Sequence, residues 1–111
     1  MKKDRTRDYA TAAFRDYAKR LNSGIDVSGT AAEDDEAVRK TLQYFKSEGK
    51  PYIVGAIEAV YFKGASEPLR ICSISSRVKR YAFEQYADES TVYRWLKEAR
   101  CKFAQYRGLT L

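Results

Sequence analysis

The sequence predicts an all-α protein, a single domain of five helices with a C-terminal helix-turn-helix. Apolar residues recur at intervals of three and four in five separate segments, which is the spacing of an amphipathic helix. Glycine and proline mark most of the joints between these segments. No segment shows the sustained alternation of a β-strand, and a length of 111 residues suits one hydrophobic core.

A first amphipathic helix is predicted from about residue 5 to residue 21. Its apolar stripe consists of Ala10, Ala13, Phe14, Tyr17 and Leu21. Residues 22–29 contain two glycines and no helical stripe, which is typical of a flexible connection. Thr30 and Glu33 have the spacing of a capping box, so the second helix is expected to begin at Thr30. Residues 1–50 are therefore predicted to form an N-terminal extension of two helices.

The second helix opens with four consecutive carboxylates, Glu33, Asp34, Asp35 and Glu36. Negative charge in the first turns of a helix is favoured by the positive end of the helix dipole. A divalent-cation site is the alternative interpretation. It is disfavoured because the run lacks the oxygen-rich loop pattern and the glycine of a calcium loop.

Three further helices are predicted within residues 51–111. Gly49 and Pro51 separate the second helix from the third, since glycine suits the residue after a helix end and proline suits a first turn. The third stripe consists of Ile53, Ile57, Val60 and Tyr61, and the fourth of Ile74, Val78, Tyr81 and Ala82. Asp88 is expected to cap a fifth helix that ends at Gly108. Its inner face consists of Val92, Trp95, Leu96, Ala99, Phe103 and Tyr106.

The composition excludes several classes of function. The chain contains no histidine, which excludes Cys/His zinc sites, serine–histidine nucleophiles and imidazole acid–base chemistry. Cys72 and Cys101 stand alone, so both are predicted to be reduced thiols. No paired acid–base group is found, and we expect neither an enzyme nor a cofactor. Because no apolar run approaches the roughly 20 residues of a membrane span, and no signal-peptide pattern is present, a cytoplasmic location is expected and a membrane partner is not.

The charge of the chain is concentrated towards its C-terminal end. The formal net charge is +6, and residues 67–111 contain nine basic and five acidic side chains, an excess of four. This distribution favours an anionic partner for that end of the chain. The alternative is that mild basicity serves solubility alone.

The fourth and fifth segments have the layout of a DNA-reading helix-turn-helix: a short helix, a tight joint and a longer basic helix. Counted from Val78, the fifth place of this pattern holds the small residue Ala82, and the fifteenth and eighteenth places hold Val92 and Trp95. The ninth place usually holds glycine because the turn needs a positive φ, but here it holds Tyr86. The joint is therefore expected to be longer or differently shaped, with Tyr86 packed inward.

The outer face of the fifth helix is predicted to contact DNA, because burial of the inner face turns outward Glu89, Ser90, Tyr93, Arg94 and Lys97. Hydroxyls at the helix start can donate to a backbone phosphate, and the next turn can reach base edges in a major groove. The predicted DNA-binding set is Arg77, Lys79, Arg80, Ser90, Thr91, Tyr93, Arg94, Lys97 and Arg100. The alternative interpretation is an ordinary solvated face with Tyr93 as an aromatic residue at its rim.

The segment ADESTVYRWLKEARCKFA, preceded by IEAVYF and SISSRVKRYAFEQ, resembles the sigma-70 region 4 type of helix-turn-helix. It is especially similar to small phage or prophage transcription regulators of the ArpU and RinA kind, and the resemblance covers about residues 53–108. In such families the TVYR-like segment opens the recognition helix. The resemblance implies that role for Thr91, Tyr93 and Arg94, and a core role for Val92 and Trp95.

Two functions of different classes are expected. The first is a non-enzymatic, DNA-binding transcriptional regulator of phage or mobile-element origin, with residues 51–111 as the DNA-binding region and the helix at about 89–106 in the major groove of double-stranded DNA. The second is a helical protein–protein interaction module, either an RNA polymerase adaptor or a phage assembly component. It is suggested by an aromatic N-terminal helix behind a glycine-containing connection. RNA polymerase and a second copy of the chain, as a homodimer, stay open as further partners.

Overall fold

The computed structural model describes residues 5–24, 28–63 and 73–109, and this part of the chain is all-helical, as predicted. Its five helices are α1 (Arg5–Ser23), α2 (Thr30–Ser47), α3 (Pro51–Ile57), α4 (Ser73–Glu84) and α5 (Glu89–Arg107). The third helix continues without a break into a π-helical turn, Glu58–Phe62, which we call the π segment. Part of the predicted connection at 22–29 and the whole of 64–72, which includes Cys72, lie outside the described residues.

The helix ends follow the glycines more closely than the predicted side-chain caps. Gly108 directly after α5 and Gly49, one residue further on after α2, both adopt left-handed conformations, as expected of glycine at helix ends. The capping box predicted at Thr30 is wrong. Gly29 occupies the N-cap position and Thr30 is already helical, while the Glu33 carboxylate pairs with Arg107 at 3.2 Å. The Glu33 carboxylate therefore stabilises a contact between α2 and α5 and does not cap the start of α2.

One hydrophobic core connects the N-terminal and C-terminal helices. Phe14 of α1 stacks on Tyr61 of the π segment, with ring centroids 5.6 Å apart and planes at 7°, and meets the ring of Phe103 at 5.5 Å. Tyr9 also approaches Phe103, at 6.3 Å. Full burial of a phenylalanine stabilises a fold by roughly 1.5–3 kcal/mol. The helices of the N-terminal extension thus pack on the same core as α5, and a functional boundary at residue 50 stays a prediction.

Two residues predicted to lie on inner faces are solvent-exposed instead. Leu21 is 62% exposed and Tyr106 is 42% exposed. Each lies in the last turn of its helix, so each continues a helical stripe beyond the region that neighbouring helices cover. The remaining members of these two stripes are buried or half-buried.

Three of the four acidic residues at the start of α2 form ion pairs between helices, while Glu36 pairs with Arg39 of the same helix. Asp34 accepts hydrogen bonds from the Tyr9 hydroxyl at 2.8 Å and from Nε of Arg107 at 2.7 Å, so that one carboxylate ties α1, α2 and α5 together. Asp35 accepts two hydrogen bonds from Arg20. The hydrogen bond to Asp35 raises the pKa of Arg20, and that to Asp34 raises the pKa of Arg107. Among the described residues, no group of three acidic or cysteine side chains is arranged to hold a metal ion.

A close approach between α3 and α4 depends on Gly55. The Tyr81 hydroxyl donates a hydrogen bond of 2.7 Å to the carbonyl of Tyr52, which brings the phenol across the helix surface at Gly55. A Cβ atom at position 55 would overlap the Tyr81 hydroxyl oxygen and lie 3.2 Å from Cζ. Position 55 therefore needs a residue without a side chain.

We predict that Gly55→Ala destabilises the fold by about 1–3 kcal/mol, because the new methyl group displaces Tyr81 and breaks its hydrogen bond. Urea unfolding followed by circular dichroism measures the change. In a Tyr81→Phe background the oxygen that collides is absent, so the same substitution should cost less. Equal costs in the two backgrounds would show that the Tyr81 hydroxyl does not set the limit.

We also predict that the fold loses stability at alkaline pH. Burial raises the pKa of Tyr9, Tyr17 and Tyr81 above the ordinary value of 10.0. Above about pH 10 the unfolded chain releases protons that the folded chain retains, so the free energy of unfolding falls as the pH rises further. Urea titrations from about pH 8 to about pH 11 measure this loss, which Tyr17→Phe should reduce. A stability that stays constant over this range would contradict the prediction.

Candidate nucleic-acid interface

The rotation of α5 about its axis is set by one fully buried edge. Val92, Leu96, Ala99 and Phe103 along this edge are at most 1% exposed. Trp95 beside them is half-buried between two tyrosines, with ring centroids 4.8 Å from Tyr52 of α3 and 6.4 Å from Tyr81 of α4. The predicted packing of Trp95 against the preceding helix is present, and α3 adds a second contact.

On the side of α5 opposite the buried edge, exposure is continuous over the N-terminal half and interrupted further along the helix. Ser90, Tyr93, Arg94 and Lys97 are all exposed, and we call these four residues the α5 ridge. Ala104 lies seven residues beyond Lys97, almost in line with it on the helix, yet it is fully buried. Contacts with α1 and α2 cover part of the C-terminal half of α5, whereas Gln105 and Tyr106 in that half are exposed. The ridge is therefore the continuous exposed stretch on this side of α5.

A cavity of about 460 Å³, the α1-side cleft, lies along one flank of the ridge between α1 and α5. Its basic lining residues are Arg7, Arg15 and Arg100, with Tyr93 at the ridge and Asp8 as an acidic neighbour. Arg100 is half-buried and donates a hydrogen bond of 2.9 Å to the Tyr61 hydroxyl. Arg100 was predicted as a DNA contact, and the structure places it in this flank rather than on the ridge.

A smaller cavity of about 260 Å³, the α2-side cleft, lies along the other flank. Arg94 and Lys97 of the ridge line it together with Lys50, Lys102 and Glu98. The ammonium group of Lys102 lies 4.1 Å from the centroid of the Tyr44 ring and 3.0 Å from Oε1 of Gln105. These contacts hold the Lys102 charge beside the ridge.

Sequence reasoning missed four basic residues that line the two clefts: Arg7, Arg15, Lys50 and Lys102. Lys102 lies on α5 itself, five residues after Lys97, whereas the positions of Arg7, Arg15 and Lys50 beside the ridge depend on how α1 and the α2–α3 joint pack against α5. No local pattern connects residues so distant along the chain.

The three α4 residues predicted to bind DNA do not all lie beside the ridge. Arg77 is half-buried and donates a hydrogen bond of 3.0 Å to the Val60 carbonyl, so its guanidinium has a role within the fold. Arg80 is exposed and pairs with Glu84 at 3.5 Å. Arg77 and Arg80 line a different cavity, of about 480 Å³, between α4 and the π segment. Lys79 is exposed, and because it follows Arg77 by two residues it points to a different side of α4.

Residues 85–88, the α4–α5 joint, contain a non-glycine residue in a left-handed conformation. Tyr86 has a φ of 55° and is 99% exposed, so the prediction that it packs inward is wrong. The amide of Ala87 donates to the Ala82 carbonyl at 2.9 Å, and the amide of Tyr86 donates to the Phe83 carbonyl at 3.3 Å. This pair of hydrogen bonds is the Schellman motif, which ends α4 sharply and requires the left-handed residue. Tyr86 adopts that conformation in the place where glycine is usual.

The start of α5 follows the joint without a side-chain cap. Asp88 occupies the N-cap position, as predicted, but only its backbone takes part, since its carbonyl accepts from the amides of Thr91 at 3.1 Å and Val92 at 3.2 Å. Thr91 is half-buried beside the exposed Ser90. Ser90 in the first turn of α5 is therefore exposed to solvent, and the acidic residues Asp88 and Glu89 before it are exposed as well.

Comparison of the chain with protein-family models, with curated proteins and with solved structures finds no match. Within the described residues, no helix is long and apolar enough to cross a membrane. Because these comparisons find no match, the interpretation of the ridge depends on its own geometry and charge.

Cys101 lines the α2-side cleft as a half-buried free thiol.

We predict that Tyr86→Gly stabilises the fold by about 0.5–1 kcal/mol. Glycine removes the roughly 1–2 kcal/mol cost of a left-handed L-residue and adds roughly 0.5–1 kcal/mol of chain entropy, while the exposed phenol contributes no packing. Urea unfolding measures the difference. Tyr86→Val is the matched control and should destabilise, because a β-branched residue tolerates positive φ poorly. A loss of stability in the glycine variant would show that the Tyr86 side chain makes a contact of its own.

Proposed function

We propose that this chain is a DNA-binding transcriptional regulator of phage or mobile-element origin, which places the N-terminal half of α5 in the major groove of double-stranded DNA. The observation that carries the proposal is the α5 ridge, an exposed helix face with two cations and a half-exposed tyrosine, held in a fixed rotation by its buried edge. A major groove is about 12 Å wide and admits one α-helix. The partly covered C-terminal half of α5 gives that helix a rigid support.

The arrangement of α4 and α5 supports a helix-turn-helix. The joint between them has four residues, and its left-handed residue, Tyr86, stands at the ninth place counted from Val78, where this motif requires a positive φ. Ala82 and Val92 are buried at the fifth and fifteenth places. Trp95, at the eighteenth place, packs against both α3 and α4. These positions set the angle at which α5 leaves the body of the protein.

Each ridge residue has a distinct proposed role. Arg94 can donate two parallel hydrogen bonds to the base edge of a guanine, and Tyr93 can reach the neighbouring base pair. Ser90 and the amide end of α5, with Thr91, are suited to a backbone phosphate. Lys97 is assigned a phosphate contact because a lysine ammonium acts as a point charge without a preferred plane. Lys79 and Arg80 are exposed and are retained as flanking phosphate contacts, whereas Arg77 serves the Val60 carbonyl.

The proposal is tested by selecting bound duplexes from a random-sequence library and measuring the affinity of the selected duplex by fluorescence anisotropy at several salt concentrations. Specific binding that weakens as salt rises is expected, because phosphate contacts release counterions. A chain that selects no sequence and shows no salt-sensitive binding to any duplex would contradict the proposal.

We predict different effects for two ridge substitutions. Arg94→Ala should cost about 1–3 kcal/mol on the selected duplex and much less on an unrelated one, because it removes a base contact. Lys97→Ala should weaken binding to both duplexes alike. It should also make the slope of the logarithm of the association constant against the logarithm of the salt concentration less negative by about 0.9. Both side chains are exposed, so circular dichroism should show unchanged folding. If neither substitution changes binding, the ridge is not the contact surface.

A protein–protein interaction module is the second candidate function, and its basis differs from the one that the sequence suggested. The aromatic side chains Phe14 and Tyr17 of α1 are buried in the protein's own core, so they offer no surface to a partner. Phe83 and Tyr86 at the α4–α5 joint are instead 85% and 99% exposed, which favours an apolar contact there. RNA polymerase or a second copy of the chain would be the partner. Sedimentation showing a stable oligomer, together with indifference to DNA, would favour this function.

A further inference from the structure

We infer that helices outside the helix-turn-helix complete the DNA-binding surface, with α1 meeting the phosphates of one groove wall and the α2–α3 joint meeting those of the other. This inference rests on the proposed function and gives the N-terminal extension a direct part in it. The residues that carry it are Arg7 and Arg15 of α1 on the first side and Lys50 of the α2–α3 joint on the second, where Lys102 of α5 lines the same cleft.

The two clefts are much more basic than the chain as a whole. Their lining residues include seven basic and two acidic side chains, whereas the full chain has 21 Lys and Arg against 15 Asp and Glu. The carboxylates of α2 lie elsewhere, in ion pairs with Arg20, Arg39 and Arg107. The positive potential is therefore concentrated along both flanks of the ridge.

A helix in a major groove has a phosphate backbone on each side. An α-helix with its side chains is about 10–12 Å across and fills a groove of about 12 Å, so residues on its outer ridge meet bases while residues at its flanks meet the two backbones. The clefts lie on these two flanks, at the level of Tyr93 on one side and of Arg94 and Lys97 on the other. Basic residues on both flanks of the ridge complement the two phosphate backbones that border a major groove.

On the α1 side, Arg7 lines the cleft with an exposed side chain. Its side chain is 56% exposed and pairs with Asp8 at 3.7 Å. An exposed pair of this kind is worth about 0–1 kcal/mol, so a phosphate can replace the carboxylate. Arg15 is half-buried in the wall of the cleft, close to Arg100, and extends the positive surface inward.

On the α2 side, the α2–α3 joint positions Lys50. Gly49 adopts a φ of 74°, and the amide of Lys50 donates to the Phe45 carbonyl at 2.8 Å, so the backbone at this turn is closed by hydrogen bonds. Lys50 is half-buried and lines the same cleft as Arg94. A rigid turn thus holds a cation beside the ridge without belonging to the helix-turn-helix.

The test compares Arg7→Gln, Lys50→Gln and the double variant with the unmodified chain, by fluorescence anisotropy against salt on the selected duplex and on an unrelated duplex. Each single substitution should make the slope of the logarithm of the association constant against the logarithm of the salt concentration less negative by about 0.9. The double substitution should change it by about twice as much. The ratio of the two affinities should not change, because phosphate contacts carry no sequence information. Lys40→Gln is the matched control, since Lys40 is exposed on α2 outside both clefts, and it should keep the original slope.

Charge-retaining variants separate a phosphate contact from an effect on folding. Arg7→Lys and Lys50→Arg should keep the slope of the unmodified chain, because a point charge suffices at a phosphate. If the unmodified chain binds DNA and Arg7→Gln and Lys50→Gln bind with the same salt slope, the inference is overturned and the proposed function stands. A chain that binds no duplex at all overturns both.

Discussion

The burial of one edge of α5, from Val92 to Phe103, is the constraint on which the rest of the structure depends. Phe103 packs against Phe14 of α1, and Trp95 packs between tyrosines of α3 and α4. Every other helix therefore contributes to holding α5 in one rotation, since α2 contacts it as well. Because other helices contact α5 along its length, the exposed residues of its N-terminal half keep a fixed direction. This rigidity suits a surface that must match a groove.

Opposite charges are separated by the way the helices pack. The acidic run at the start of α2 meets cations from α1 and α5, and the Asp34 carboxylate alone accepts hydrogen bonds from Tyr9 and Arg107. These carboxylates stabilise the contact between three helices. The α5 residue that pairs with them is Arg107, at the opposite end of the helix from Arg94. The clefts beside the ridge consequently retain an excess of positive charge. The same ion pairs that support the fold therefore shape the field around the proposed DNA surface.

The α4–α5 joint combines backbone strain with exposure. Tyr86 occupies a left-handed conformation that glycine would adopt at lower cost, and its side chain is 99% exposed, as is most of Phe83 at 85%. Strained residues persist where the surrounding structure over-determines them, and here the Schellman hydrogen bonds and the buried Ala82 do so. An aromatic residue that is costly to place and contributes no packing is consistent with a contact outside the chain. The joint is therefore a second surface of interest beside the ridge.

The helices and the outward direction of Arg94 were predictable from local spacing, because a repeat of 3.6 residues assigns each side chain to a face once the apolar stripe is known. The glycine-marked helix ends followed for a similar reason, since positive φ is a property of a single residue. Contacts between distant segments were not predictable. The exposure of Leu21, the bond from Arg77 to the Val60 carbonyl and the position of Lys50 beside α5 each depend on which helices meet and where they stop covering one another. Local periodicity says which way a side chain points, and only the packing of the helices decides what it meets.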